Sequence, residues 1–558
     1  MTTKTKANPG VYPVLLILLV LVAAPLVSVL VTAVTGYRGE DSALDSFVRP
    51  EMLRVIRNTV WLSVLAVFFA TLFAAPLAFF RSWTPMRRAG WVEVLVMVPF
   101  MTPPFAAAMA WMDFTRLRGV ADMLLGPTLG DAARSAINSV WGMGFIMAAE
   151  LFPFLYLILR NAFASIPASQ LEMAQVAGAS RWQQFSRVVV PAVVGPYSLG
   201  ALIVFIKAAG EFGTPVTLGN AIGYEVLVSS IYQDVTIDPL NFSKAAASSS
   251  VLFTLGVMAW AIQQWAGRGV LATGGRVARE VNLRPSRSMM ALAWVYTAIV
   301  FTLSVFIPYI SIILAAMTIL RSKPPTPDNL TFDYFQIVLS MPSGQEALTR
   351  SIALGAIGAT TAVILALAVT VFTMRSRRWP ARFSDFLAVA PDTVPGIVLA
   401  IGFILLWNSP KLPFTPYGSQ LILVMAFTVL FVPMAVQNIK TSAAAMSPTL
   451  SEASAVAGAT SWQTFTRVTL PMLAPGIFAG WLLAFFVGIR ELVMSSLIRP
   501  TRINLLAPWI MNQFEQGHRA EAMAMTLIGV GTSTVVLVLI RWWPVSYTHL
   551  RAHETRHD

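Results

Sequence analysis

Residues able to do chemistry are scarce in this chain, and their absence narrows its purpose first. Cysteine is missing altogether, which removes disulfides, thiolate metal sites, iron–sulfur clusters and cysteine nucleophiles together. A P-loop needs Gly-Lys-Ser or Gly-Lys-Thr so that backbone amides and the lysine hold the phosphates, yet none of the seven lysines follows a glycine. Nor does any Asp-Asp pair offer a prenyl-diphosphate site, so an intramembrane enzyme finds little support. Three of the four histidines, His549, His553 and His557, stand at i, i+4 spacing in the last ten residues. That spacing could seat a metal, but SYTHLRAHETRHD is polar and breaks abruptly from the composition before it. Residues 546–558 therefore read as a non-native or disordered tail, and neither a metal nor a cofactor is expected.

The remaining candidates are charged groups within or beside apolar runs. Glu150 falls in the middle of such a run, while Lys207, Glu211, Asp392, Arg490 and Glu491 fall near run ends. Polar groups at membrane depth are costly and usually face a cavity or a partner helix, so Glu150, Glu211 and Glu491 are candidates for a translocation path. Lys207 and Glu211, four apart, could instead pair on one helix face.

The elements that must position these groups are membrane helices. The chain of 558 residues is 56% hydrophobic and 12% charged, with a mean hydropathy of +0.69. Crossing a bilayer takes about 20 apolar residues per helix, and twelve segments qualify, near 12–33, 58–80, 92–112, 140–160, 188–209, 245–265, 290–320, 352–374, 385–407, 419–437, 470–489 and 522–543. The first, after Lys4 and Lys6, exceeds a signal-peptide apolar core of about 7–15 residues and reads as an uncleaved helix. The formal charge of +13 sits in short clusters between these runs, a topology pattern, and no nucleic-acid partner is expected. Arg81, Arg87 and Arg88, then Arg268, Arg276, Arg279, Arg284 and Arg287, then Arg375, Arg377, Arg378 and Arg382 all fall on one side. By the positive-inside rule that side is the cytoplasm, and both termini lie there. The segment after the fifth run, with Glu211, Glu225, Asp234 and Asp238, suits the outer side.

An internal repeat fixes the architecture. Residues 172–191, EMAQVAGASRWQQFSRVVVP, and 452–471, EASAVAGATSWQTFTRVTLP, agree at eleven of twenty positions. At the same offset of 280, Pro153 matches Pro433, Arg160 aligns with Lys440, Gly200 matches Gly480 and Glu211 matches Glu491; Glu150 faces Leu430. Earlier in each half the offset is 292, with Pro99 matching Pro391 and Pro103 matching Pro395. The twelve-residue difference lies in the outer segment near 113–138, longer than its counterpart near 408–418. The fold class is thus an all-α polytopic membrane protein of about twelve helices in two parallel six-helix repeats, residues 1–285 and 286–545. Prolines 99, 103, 104, 391 and 395 are expected to break the third and ninth helices.

The repeated segments, 166–191 and 446–471, fall on the cytoplasmic side between the fourth and fifth helices of each half. Pro167 suits a first helical turn. Gly178 and Gly458 sit where a helix ends in a left-handed residue. Ser180 with Gln183, and Thr460 with Gln463, have capping-box spacing. Trp182, Phe185 and Val188 form an apolar face, and Pro191 and Pro471 mark entry into the next membrane helix.

This Glu, small-residue, Gly, apolar-Pro pattern resembles the EAA loop of ABC-importer permeases. The resemblance implies that Glu172, Ala174, Gly178, Glu452 and Gly458 couple the chain to a cytoplasmic ATP-binding subunit, two copies for two loops. Met173 and Ser454 depart from the Glu-Ala-Ala letters. The resemblance covers nearly the whole chain and implies a multi-pass protein of the bacterial cytoplasmic (inner) membrane, not itself an enzyme. Its partners would be that ATPase, an extracytoplasmic substrate-binding protein and the lipid bilayer. The fused arrangement, EFGTP at 211–215 and REL at 490–492 resemble the ferric-iron permeases, with thiamine and aminophosphonate permeases as relatives. An ion-coupled secondary transporter is the rival class, since parallel six-helix halves occur there too.

Overall fold

In a bilayer core no water satisfies the backbone, so each crossing segment has to bond its own N–H and C=O groups, and the helix does so within one segment. The chain obeys this throughout its computed structural model, which describes residues 10–267, 281, 285–374, 376, 378–410 and 412–535. Within them, β structure is confined to isolated bridges, such as the antiparallel one between Thr318 and Leu330. Among the described residues nine helices are long and apolar enough to cross a membrane: Val11–Thr35, Pro50–Trp83, Val140–Ala164, Arg181–Ala209, Phe242–Trp265, Arg287–Met317, Pro342–Thr373, Gln420–Ala444 and Ser461–Ile489. Two bent pairs raise the number to eleven. The twelfth expected segment is helical over 519–535 and then leaves the described residues.

Both bent pairs lie where the prolines predict them. Gly90–Phe100 meets Pro104–Phe114 at 96°, and Trp379–Asp392 meets Gly396–Trp407 at 111°. Proline removes one ladder donor and clashes with the carbonyl four residues back, so Pro99, Pro103 and Pro104, and Pro391 and Pro395, end one helix and start the next.

Packing divides the chain into two compact units, one of residues 29–331 with 393–398, the other of residues 1–28, 332–392 and 399–558. These are not the sequence repeats 1–285 and 286–545. The leading helix of each repeat is largely assigned to the unit built on the other repeat. In the first unit the reason is visible in the side chains of Arg287–Met317. Trp294 stacks on Trp91 with ring centroids 5.6 Å apart, the Tyr296 hydroxyl donates to the Leu72 carbonyl, and the Thr102 hydroxyl donates to that of Tyr309 at 2.9 Å. Aromatic pairs gain from such ring contacts beyond area alone. The centre of this unit continues them, with Phe73 edge-on to Phe145 and Phe152, beside fully buried Leu77 and Tyr156.

In the second unit small residues allow close backbone approach, as is usual between membrane helices. A Cβ on Gly402 would stand 2.6 Å from the Pro25 carbonyl, and the Ser28 hydroxyl donates to the Gly402 carbonyl at 3.2 Å. That pair fastens the second half of Val11–Thr35 to Gly396–Trp407.

Of the arginines used to orient the chain, Arg81, Arg87, Arg88, Arg287, Arg378 and Arg382 sit at or beside helix ends. Arg268, Arg276, Arg279, Arg284, Arg375 and Arg377 lie outside the described residues, as do Lys4, Lys6 and the tail 546–558.

Candidate functional site: two matched loops

Each repeated segment folds as two short helices joined by a tight turn, and every bond of the turn has a sequence cause. The first loop leaves Val140–Ala164, takes an extended Pro167 as its cap and forms Ala168–Val176. The helix stops because Gly178 adopts φ +80, a left-handed conformation cheap only for glycine. The Ala179 N–H then reaches back to the Ala174 carbonyl at 2.9 Å and the Gly178 N–H to the Gln175 carbonyl at 3.0 Å. This is the paired closure of a Schellman motif, which satisfies carbonyls the helix end would leave open.

The second helix starts at once. Ser180 accepts from the Gln183 N–H at 3.3 Å, and the Gln183 side chain accepts from the Ser180 N–H at 2.8 Å, a complete capping box. The second loop is capped by Ser447, with Pro448 inside the first turn, and repeats the later steps. Pro448–Val456 ends at Gly458, φ +80; Ala459 donates to the Ser454 carbonyl and Gly458 to that of Ala455, both at 3.0 Å; Thr460 and Gln463 form the box at 3.2 and 2.8 Å. Ala174 and Ser454 therefore occupy the same station, supplying the carbonyl that closes the turn.

Two features were not legible beforehand. The loop helix does not stop at Pro191 but runs into the membrane helix as one element, Arg181–Ala209, and likewise Ser461–Ile489. A wider π-helical turn at Phe185–Val189, and at Phe465–Thr469, precedes each proline and accommodates the missing N–H and ring. Moreover, the Ser454 departure has a partner: its hydroxyl lies 2.8 Å from that of Thr464, while in the first loop Gln184 donates to the Ala179 carbonyl at 3.0 Å. The first loop is thus braced from its second helix to the turn, the second loop from helix to helix.

The loops present matching apolar tips. Val176 and Val456 are 91% and 89% exposed, Trp182 and Trp462 72% and 71%. Trp182 tilts over Phe185 at 5.9 Å, Trp462 over Phe465 at 5.7 Å. Glu172 and Glu452 are exposed on the first short helix of each loop. The two loops thus leave the same apolar groups open in the same arrangement.

The path candidates divide. Glu211 does not extend a helix face shared with Lys207, because the helix ends at Ala209 and Gly210 caps it. Its carboxylate instead accepts the Gly213 N–H at 2.6 Å and the Thr214 N–H at 3.1 Å. Glu491 does the same work in the other repeat, accepting the Met494 and Ser495 N–H groups at 2.8 Å each and the Ser495 hydroxyl at 2.7 Å. Both are buried acceptors that fold the turn after their helix. Glu150 is buried mid-helix in Val140–Ala164. In the tail, His553-Glu554-Thr555-Arg556-His557 has the letter order of a zinc-hydrolase helix, but it lies outside the described residues and no site is assigned there.

Comparison with known proteins agrees with this architecture. A family model described as the inner membrane component of binding-protein-dependent transport systems matches residues 66–313 and 356–543. The ferric transport system permease protein FbpB of Actinobacillus pleuropneumoniae is 21% identical over 543 residues, covering 95% of this chain and 77% of the relative. The Fe(3+)-transport system permease protein FbpB 2 of Haemophilus influenzae is 22% identical over 508 residues, 90% of this chain and 92% of the relative. PhnV of Salmonella typhi, named for 2-aminoethylphosphonate transport, is 22% identical over 252 residues, 44% of this chain and 93% of its own length.

Proposed function

The chain belongs to the inner membrane components of binding-protein-dependent transport systems, and from that premise we propose that it is the permease of an ATP-driven importer whose cargo is ferric iron. The observation that carries the energy source is the matched pair of loops. A Schellman turn, a capping box and an exposed Trp–Val tip recur at 280-residue spacing, which suits two copies of one rigid partner. The chain has no P-loop lysine of its own, so ATP is held by that partner. Glu172, Ala174, Gly178, Glu452 and Gly458 form the coupling loops, and the arginine clusters in the sequence favour the cytoplasmic side for both loops and both termini.

Cargo passes from an extracytoplasmic binding protein through the two repeats by alternating access, and closure of the ATPase pair is felt at the loops. Iron is preferred because the relatives named for ferric transport pair with nearly the whole two-repeat chain, whereas the phosphonate relative pairs with under half of it. Thiamine or a phosphonate is the alternative cargo. Among the path candidates, Glu150 is the residue expected to influence passage directly, and Glu211 and Glu491 act by shaping the turns that follow their own helices. Reconstituted with its ATPase and binding protein in proteoliposomes, the chain should accumulate radiolabelled ferric ion only with ATP inside the catalytic compartment, uncompeted by aminoethylphosphonate. Uptake driven by a proton or sodium gradient without an ATPase would defeat this reading.

A further inference from the structure

The docking loops can transmit force only if the helix that feeds each one is fixed to its neighbours, and one polar cluster per repeat does this. In the first repeat the Glu93 carboxylate, in the first turn of Gly90–Met97, meets Arg81 at 3.2 Å and Arg160 at 3.3 Å and accepts from the Tyr156 hydroxyl at 2.9 Å. Arg81 ends Pro50–Trp83, and Arg160 lies in the last turns of Val140–Ala164, the helix that leads into the first loop. Two further bonds seal the same ends: the Ser82 hydroxyl donates to the Arg160 carbonyl at 3.2 Å, and the Trp83 indole to the Phe163 carbonyl at 2.9 Å.

In the second repeat Asp385 meets Lys440 at 2.9 Å and accepts from the Thr373 hydroxyl at 2.7 Å. Thr373 closes Pro342–Thr373, and Lys440 lies in Gln420–Ala444, which leads into the second loop. The positions correspond: Glu93 to Asp385 and Arg81 to Thr373 at the offset of 292, Arg160 to Lys440 at 280. All three identities differ between repeats, yet an acid on one helix still gathers donors from the ends of two others.

We propose that Glu93 and Asp385 are positioning residues that clamp the helix entering each coupling loop, so that loop and helices move as one body. The inference rests on the loops being ATPase docking sites. The clamps are unequal: the first holds two guanidinium groups and a phenol around a partly buried acid, the second one ammonium and one hydroxyl with both charges about a third exposed. The second loop is therefore the more easily uncoupled.

The test uses the full transporter in proteoliposomes and reads ATP hydrolysed per cargo ion moved. Asp385→Asn should raise that ratio roughly fivefold or more, with the amount of co-purified ATPase unchanged, and the exchange Asp385→Lys with Lys440→Asp should restore it. Glu93→Gln leaves buried Arg81 short of its partner and risks poor assembly, so the more exposed second pair carries the decision. An unchanged ratio overturns the clamp. So does a parallel fall of uptake and hydrolysis that tracks lost complex and that the exchange does not repair, since that marks a purely structural pair. A wild-type chain that recruits no ATPase defeats the functional reading itself, and this is seen before any variant is measured.

Discussion

Around Gly178 and Gly458 nothing stands within 4 Å of where a Cβ would project, so backbone conformation, not contact, excludes other residues. A β-branched residue forced to φ +80 costs about 1–2 kcal/mol, whereas asparagine tolerates that region. The double variant Gly178→Val, Gly458→Val should therefore lose ATPase co-purification, while Gly178→Asn with Gly458→Asn keeps most of it at equal membrane abundance. A second residue-level expectation concerns the turn carboxylates. Glu211→Ala strands the Gly213 and Thr214 N–H groups in a buried place, a loss of about 1–3 kcal/mol, and Glu491→Ala strands those of Met494 and Ser495. Each should lower the melting temperature of the detergent-purified chain, and the glutamine variants should lower it less. The glycine turns and capping boxes were legible in sequence because each is settled within about six neighbouring residues. The Glu211 arrangement was not: pairing with Lys207 presumes a helix that Gly210 ends.

At the scale of elements, the loops differ in letters and agree in shape, Gln184 bracing one and Ser454 with Thr464 the other. Replacing residues 166–191 by 446–471 should thus preserve ATP-dependent uptake within about a factor of two, whereas Trp182→Ala and Trp462→Ala should each weaken ATPase association, measured as a dissociation rate. Aromatics at the centre of a protein–protein interface often cost about 2 kcal/mol or more when truncated. Proline positions announced the two bent pairs, since a proline acts on its own helix. The π-helical turns left no such mark, because they follow from how Pro191 and Pro471 are absorbed into an unbroken helix. Glu93 and Asp385 stayed hidden for another reason: they correspond only at an offset different from that of the lysine and arginine they hold.

For the whole molecule, the exchange of leading helices sets the unit of folding. No repetition in the sequence reveals it, because Trp294, Tyr296 and Tyr309 find partners some two hundred residues away. A chain cut between 267 and 285 should behave accordingly. Residues 1–285 or 286–558 expressed alone should be degraded, whereas co-expression should recover both in one complex, as judged by co-purification and uptake.

The same exchange imposes a schedule on synthesis. Translation proceeds at about 5–20 residues per second, and the opening helix, up to residue 28, belongs with a unit whose remaining members begin at residue 332. Roughly 300 residues must be made in between, so that helix waits on the order of 15–60 seconds in the membrane for its permanent neighbours. Its exposed valines and leucines meet lipid during that interval, and any factor that shelters newly inserted helices would act on this stretch first.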